Sequence, residues 1–136
     1  MTVPPSLRTW LLVHAAFAAV IGAPLFVAPD ALLHRLGWTA VDPVATRLVA
    51  AALLAIASLS FFQRHAGVEI YRAILSFNVV WSMAAAVGLF VGIGVGAPNA
   101  AWAVLCAEIV FAGVWIHHAI RFRQHDHAPA DEPVEN

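Results

Sequence analysis

Residues Trp102 to Phe122 read WAVLCAEIVFAGVWIHHAIRF, an almost wholly apolar stretch of the length that crosses a membrane as one helix. Glu108 is the one carboxylate in this stretch. Insertion scales put the cost of a charged group near the bilayer centre at roughly 2.5–3.5 kcal/mol. Glu108 therefore either keeps its proton or pairs with a cation, and the rest of the chain decides which.

The composition indicates that lipid is the solvent for most of this chain. Of its 136 residues, 62% are hydrophobic and only 11% are charged, with a mean hydropathy of +0.82. A soluble domain normally carries about a quarter charged residues. The net charge of −1 and the lack of a basic cluster give no support for nucleic-acid binding. The single cysteine, Cys106, excludes an intrachain disulfide.

Four apolar runs are each close to the roughly 20 residues that span the hydrocarbon core as helix. They cover about residues 8–28, 45–63, 71–95 and 100–122. Because every backbone group in lipid must be satisfied internally, we expect four helices. The sequence therefore predicts an all-α integral membrane protein, a four-helix up-down bundle over residues 1–123. The acidic, proline-containing tail 124–136 is predicted to be disordered.

The first apolar run is predicted to remain as a membrane span. Pro24 and Pro29 each follow an alanine, and proline after a small residue makes a poor signal-peptide cleavage site. A small-x-small site at Ala16–Ala18 is the alternative.

Arginine placement predicts the orientation. Only Arg35 and Arg47 lie on the side of the first and third loops, and we assign the opposite side to the cytoplasm. That side carries Arg8, Arg64, Arg72, Arg121 and Arg123. The prediction is a bacterial inner-membrane protein with both termini cytoplasmic.

The first loop contains a short amphipathic segment at about residues 30–37. Asp30 is a plausible N-cap, Gly37 a plausible C-terminal stop, and Leu32, Leu33 and Leu36 share one side. With Trp38 beside it, this segment is predicted to lie in the outer membrane interface.

Arg47 is the candidate cation for Glu108. Arg47 is near the outer start of the second span, and Glu108 is several residues into the fourth span from the same side. At 1.5 Å per residue the difference in depth is about 8 Å, which two long side chains can bridge for the most part. We therefore expect Arg47 to compensate an inward-facing Glu108, partly or wholly.

Other polar and aromatic residues recur at helical spacing in the second, third and fourth spans. If these stripes meet, they form one polar and aromatic interior, a candidate ligand pocket. Interhelical hydrogen bonds explain the same residues without a ligand, and the sequence favours that structural role. The predicted pocket residues are Arg47, Asn78, Trp81, Ser82, Glu108 and Trp115.

Three histidines within the spans are candidates for haem or metal binding. His14 lies at an inner depth comparable to that of His117 and His118. Adjacent helical residues are about 100° apart, so at most one of the pair can face inward. We expect no bound metal and no catalytic residue, with haem or a quinone as the alternative cofactor.

Gly88, Gly92 and Gly96 repeat the spacing that lets helices approach closely. The sequence favours tight packing within one bundle. A homodimer seam, or a helix break beside a site, is the functional alternative.

The segments GAPLFVAPDALLHRLGW (residues 22–38) and ATRLVAAALLA (residues 45–55) resemble small four-span bacterial membrane proteins of the DoxX-like kind. The resemblance covers about residues 15–60 and rests on Pro29, Gly37, Arg47 and Ala50–Ala52. Named DoxX members are associated with a thiosulfate:quinone oxidoreductase, so the resemblance implies a redox subunit as one possible role. The chain has no cofactor motif of its own.

The function that the sequence favours is non-catalytic: a small membrane subunit or binding module whose interior takes a lipid-like or small apolar ligand. A quinone- or haem-associated redox subunit is the alternative, and an oligomeric transporter or channel is the third. The expected partners are membrane lipids, with a second copy or a larger membrane complex as further candidates.

Overall fold

The computed structural model describes residues 3–62 and 66–126, and this part of the chain forms five α-helices. Four of them are long and apolar enough to cross a membrane: α1, α3, α4 and α5. The prediction of an all-α membrane bundle is confirmed. In chain order the helices are α1 (Pro5–Val27), α2 (Pro29–Arg35), α3 (Pro43–Phe62), α4 (Val68–Gly94) and α5 (Ala100–Asp126).

Local chemistry explains where α1 and α3 begin. Pro5 is the first residue of α1, a position where a missing N–H costs nothing. Pro43 starts α3 in the same way, and Asp42 caps it. Asp42 Oδ1 accepts hydrogen bonds from the backbone N–H groups of Val44 at 2.9 Å and Ala45 at 3.1 Å. Residues 42 and 43, which precede the predicted span 45–63, therefore define the start of α3.

The last helix is longer than predicted. α5 continues to Asp126, so residues 124–126 are helical and the predicted start of the tail is too early. Arginine and glutamine are good helix formers, and they extend the helix past its apolar part. The rest of the predicted tail, residues 127–136, lies outside the described residues.

The short helix α2 occupies the segment that the sequence marked as amphipathic. Its N-cap is Ala28, and Asp30 lies in the first turn instead of capping it, because Pro29 already occupies the first helical position. Gly37 follows the helix with a φ of +99°, which favours glycine. A side chain at Gly37 would also lie 3.0 Å from Pro98 Cβ in the α4–α5 turn.

The helices α1 and α3 form a tightly packed antiparallel hairpin. Their crossing is lined by small residues, with Ala15, Ala18 and Ala57 in one buried cluster. A Cβ built on Gly22 would lie 3.1 Å from Leu53 Cβ and 3.2 Å from the Ala50 carbonyl oxygen. Gly22 therefore allows the two backbones to approach.

The predicted close packing through the α4 glycines is wrong for the single chain. A Cβ on Gly88 or Gly96 would meet no atom of the described residues within 4 Å, and one on Gly92 would meet only Ala97 Cβ, at 4.0 Å. The spacing indicates that a close approach is sterically possible, but it does not say that a partner lies on that side. The homodimer seam stays a prediction.

The second hairpin, α4 with α5, joins the first through large side chains. The backbones of α1 and α5 come close in only a few places, and rings fill the space between them. Large side chains of α1, α4 and α5 form the main core: Leu7, Leu11, Tyr71, Ile74, Leu75, Phe111, Trp115 and Phe122. The bundle is thus two closely packed hairpins with an aromatic seam between them.

Candidate functional site

The bundle interior buries polar side chains from all four long helices. Each of them is at least nine-tenths buried, although lipid-facing positions of the same helices are apolar. Polar groups at such depth are costly without partners, so their position needs an explanation. They are His14, Ser60, Asn78, Ser82, Glu108 and His118.

Four of the predicted pocket residues share the packed faces of α4 and α5. Asn78 and Ser82 are one turn apart on α4, and Glu108 and Trp115 are two turns apart on α5. All four are buried, and Trp115 and Ser82 are fully inaccessible. The Ser82 hydroxyl approaches the Glu108 carboxyl group, although Ser82 Oγ and Glu108 Oε2 do not reach strict hydrogen-bond geometry.

Trp81 occupies a different position from these four. It is half-buried and lines a groove between α3 and α4, where its ring stacks on Phe77 at a centroid distance of 6.5 Å. Its indole nitrogen is nevertheless inaccessible. Trp81 therefore borders the interior from the α3 side.

The expected pairing of Arg47 with Glu108 does not form. Arg47 is exposed, and its Nε donates a hydrogen bond to the Phe26 carbonyl oxygen at 3.3 Å, in the last turn of α1. Within residues 3–62 and 66–126, the salt bridge is between Arg72 and Glu69. The reason is topological: α3 packs on α1 instead of α5, and Arg47 satisfies a carbonyl that the end of α1 leaves without a partner. Arg47 therefore lies apart from the interior.

Aromatic rings enclose His14. The imidazole is 1% exposed and lies 4.6 Å from the Phe111 ring and 5.4 Å from the Trp115 ring. Phe111 and Trp115 are themselves stacked, with an interplanar angle of 9°. Phe17 packs on Phe111 at 5.3 Å. The seam between the hairpins is thus an apolar cage around one buried imidazole.

The two adjacent histidines of α5 separate as the helical spacing predicts. His117 is exposed and His118 is buried. Across the part of the chain that the structure describes, no three His, Cys, Asp or Glu side chains are grouped so as to hold a metal ion.

The buried interior of the described chain contains polar side-chain atoms that have no hydrogen-bond partner. Among the described residues, these atoms lack a partner: His14 Nδ1, Ser60 Oγ, Asn78 Nδ2, Trp81 Nε1, Ser82 Oγ, Glu108 Oε2, Trp115 Nε1 and His118 Nδ1. The nitrogens of Asn78, Trp81 and Trp115 can only donate. Each buried donor without an acceptor costs about 1–3 kcal/mol. An oxygen acceptor placed between the hairpins would therefore be bound favourably.

Two buried features were missed by reasoning from the sequence alone. Ser60 is 2% exposed, whereas the nearby Ser58 is exposed and donates a hydrogen bond to the Leu54 carbonyl oxygen. The signal was present, because Ser60 follows Ala57 by three residues and Ala50 by ten on the face that packs on α1. The ring cage around His14 had no sequence signal, since it needs the relative position of α1 and α5.

The arrangement can bind and orient a molecule. It combines several donors, one carboxyl group and flat apolar surfaces, which is typical of a ligand pocket.

No family model, no curated protein and no solved structure matches the chain.

Proposed function

We propose that this chain is a small, non-catalytic membrane subunit or binding module. Its ligand is an apolar, lipid-like molecule with at least one oxygen acceptor, such as a carbonyl or ester group, and it binds in the seam between the hairpins. The observation that carries the proposal is the excess of buried donors at Asn78, Trp81 and Trp115. Hydrogen bonds between these residues would account for them as interhelical contacts, and their nitrogens make none among the described residues.

The seam supports an apolar body for this ligand. Phe111, Trp115 and Phe17 present stacked and tilted rings around His14, which suit a flat or chain-like hydrocarbon. The two hairpins meet mainly through side chains, so they can part slightly while α1–α3 and α4–α5 keep their own packing. A ligand can enter by this route without unfolding either hairpin.

The test is retention of a ligand by protein extracted from its native membrane in a mild detergent. Native mass spectrometry is expected to show a bound small molecule on the full chain. Trp115→Phe keeps an aromatic ring but removes the N–H donor, and we expect it to weaken binding about 2- to 12-fold, which corresponds to one hydrogen bond of about 0.5–1.5 kcal/mol.

Trp102→Phe is the matched control, because Trp102 is on the same helix and 49% exposed. It is expected to leave occupancy unchanged. Wild-type protein that carries no small molecule, or equal loss in the two variants, would mean that the buried donors bind water or have only a structural role.

A quinone- or haem-associated redox subunit is the second candidate. It is supported by two buried histidines on different helices, His14 and His118. An absorbance spectrum of the same preparation tests this candidate. A Soret band would show haem and would contradict the first proposal. An extracted quinone, which is itself an apolar molecule with carbonyl acceptors, would identify the interior ligand and give the subunit a redox role. The DoxX-like resemblance stays a prediction and is consistent with either.

We further propose that the chain lies in the bacterial inner membrane with both termini in the cytoplasm. The support is the excess of arginine on that side, including Arg8, Arg121 and Arg123. Reporter fusions after Asn136 and within residues 30–42 are expected to report cytoplasmic and periplasmic locations respectively. A periplasmic C-terminus would reverse the assignment.

A further inference from the structure

An apolar groove runs along the outside of the bundle between α3 and α4. One part has a volume of about 220 Å³ and is lined by Ala52, Ala55, Ile56, Leu59, Phe77 and Trp81. A second part of about 470 Å³ shares Leu59 and Phe77 and continues to Glu69. Because they share two walls, the two parts form one continuous surface, the α3–α4 groove.

The extent of the groove matches one leaflet of a membrane. Trp81 and Glu69 mark its two ends on α4 and are twelve residues apart. At 1.5 Å per residue this is about 18 Å. The hydrocarbon core is about 30 Å thick, so the groove reaches from the membrane surface to roughly the bilayer centre. That is the depth of a single acyl chain.

Charges of both signs lie at the surface end of the groove. The Glu69 side chain is 85% exposed, and Arg72 Nη1 lies 3.9 Å from its Oε1. A guanidinium group binds phosphate oxygens well, and a carboxylate accepts hydrogen bonds from an ammonium group. Phosphatidylethanolamine carries a phosphate and a primary ammonium. Phosphatidylglycerol has the phosphate but no ammonium group to offset the charge of Glu69, and the quaternary ammonium of phosphatidylcholine has no N–H to donate.

We propose that the α3–α4 groove binds one phosphatidylethanolamine molecule. One acyl chain lies along Leu59 and Phe77, and the headgroup lies at Glu69 and Arg72. This site goes beyond the proposed function, because it is on the outside of the bundle and uses none of the buried donors of α5. Trp81 borders both sites, so it is left unchanged in the test.

The experiment measures phospholipid bound to the full chain by native mass spectrometry, after exchange into detergent with equal amounts of phosphatidylethanolamine, phosphatidylcholine and phosphatidylglycerol. Wild-type protein is expected to retain phosphatidylethanolamine in preference to the other two. Ala55→Trp fills the groove, and we expect it to lower the bound phosphatidylethanolamine by about tenfold, because the indole ring occupies the volume that the acyl chain needs. Glu69→Gln combined with Arg72→Gln is expected to abolish the headgroup preference while some lipid remains bound.

Val87→Trp is the matched control, because Val87 is on α4, 60% exposed and outside the groove. It is expected to leave bound lipid unchanged. Ala55 is itself exposed, and if Ala55→Trp does not yield folded protein, the smaller Ala55→Leu carries the same test. Equal retention of the three lipids by wild type, or unchanged phosphatidylethanolamine in the Ala55 variant, would overturn the proposal. Neither result bears on the interior ligand, which the Trp115→Phe variant tests separately.

Discussion

Replacing Trp115 with alanine is expected to lower the free energy of unfolding by about 3–5 kcal/mol, the range for removing a large buried ring. Trp115 is fully inaccessible and contacts rings from both sides of the seam, on α1 and on α5. Its ring stacks on Phe111 at 6.1 Å and meets His14 edge-on at 5.4 Å. The truncation leaves a cavity between α1 and α5. Because the two backbones approach each other in only a few places, large side chains fill this space and little else is near enough to occupy the cavity.

The measurement is reversible unfolding of the purified chain in mixed micelles with increasing denaturing detergent. Trp102→Ala is the control, since it removes the same side chain from an exposed site on α5. We expect it to change stability by about 0.5 kcal/mol or less. Similar losses in the two variants would mean that the aromatic seam does not hold the hairpins together.

Much of the fold could be predicted because a membrane leaves few choices. The length and hydropathy of four runs fix four helices, since backbone groups in lipid can be satisfied in no other way by a chain of this pattern. The helix stop at Gly37 could also be predicted from the sequence, because glycine adopts the positive φ that such a position requires. The ends of helices were less well predicted: polar residues 124–126 extend α5, and hydropathy does not detect them.

Burial within one helix could also be predicted, but the partners of a helix could not. Spacing alone put Asn78 and Ser82 on one face, and both are buried. Arg47 was assigned to Glu108 because the difference in depth, about 8 Å at 1.5 Å per residue, is one that two long side chains can largely bridge. Depth does not specify which helices are neighbours, and α3 packs on α1 while α5 packs on α4. A prediction that joins two helices needs that order, which single-helix periodicity does not contain.

Periodicity also does not say which stripe of small residues meets a neighbouring helix, and this explains why the close packing predicted at the α4 glycines is wrong for the single chain. Gly88 and Gly92 have the repeat that favours close helix packing, yet little of the described chain lies near them. The close crossing uses Ala15, Ala18 and Gly22 on α1, a stripe of small residues at helical spacing that the sequence also displays. Both stripes permit a close approach, and only the pairing of α1 with α3 decides which one is used within the chain.

Gly22→Leu is accordingly expected to destabilise the protein by about 1–3 kcal/mol, the range for overpacking a well-filled contact. A Cβ alone would already lie 3.1 to 3.3 Å from atoms of Leu53, Ala50 and Leu54. One of these atoms is the Ala50 backbone carbonyl oxygen, which cannot move unless α3 shifts away from α1. The hairpin must therefore open to accept the side chain.

Gly88→Leu is the matched control on α4, where an added Cβ meets no described atom within 4 Å. In the single chain it is expected to be neutral or slightly stabilising, since leucine favours helix over glycine by roughly 0.5–1 kcal/mol. Both variants are compared by unfolding in mixed micelles and by the mass of the protein–detergent complex. If Gly88→Leu lowers stability as much as Gly22→Leu and also reduces the mass of the complex, the α4 glycines pack against a second copy. If only Gly22→Leu is destabilising, the close helix contact lies within the α1–α3 hairpin and the outer face of α4 contacts lipid.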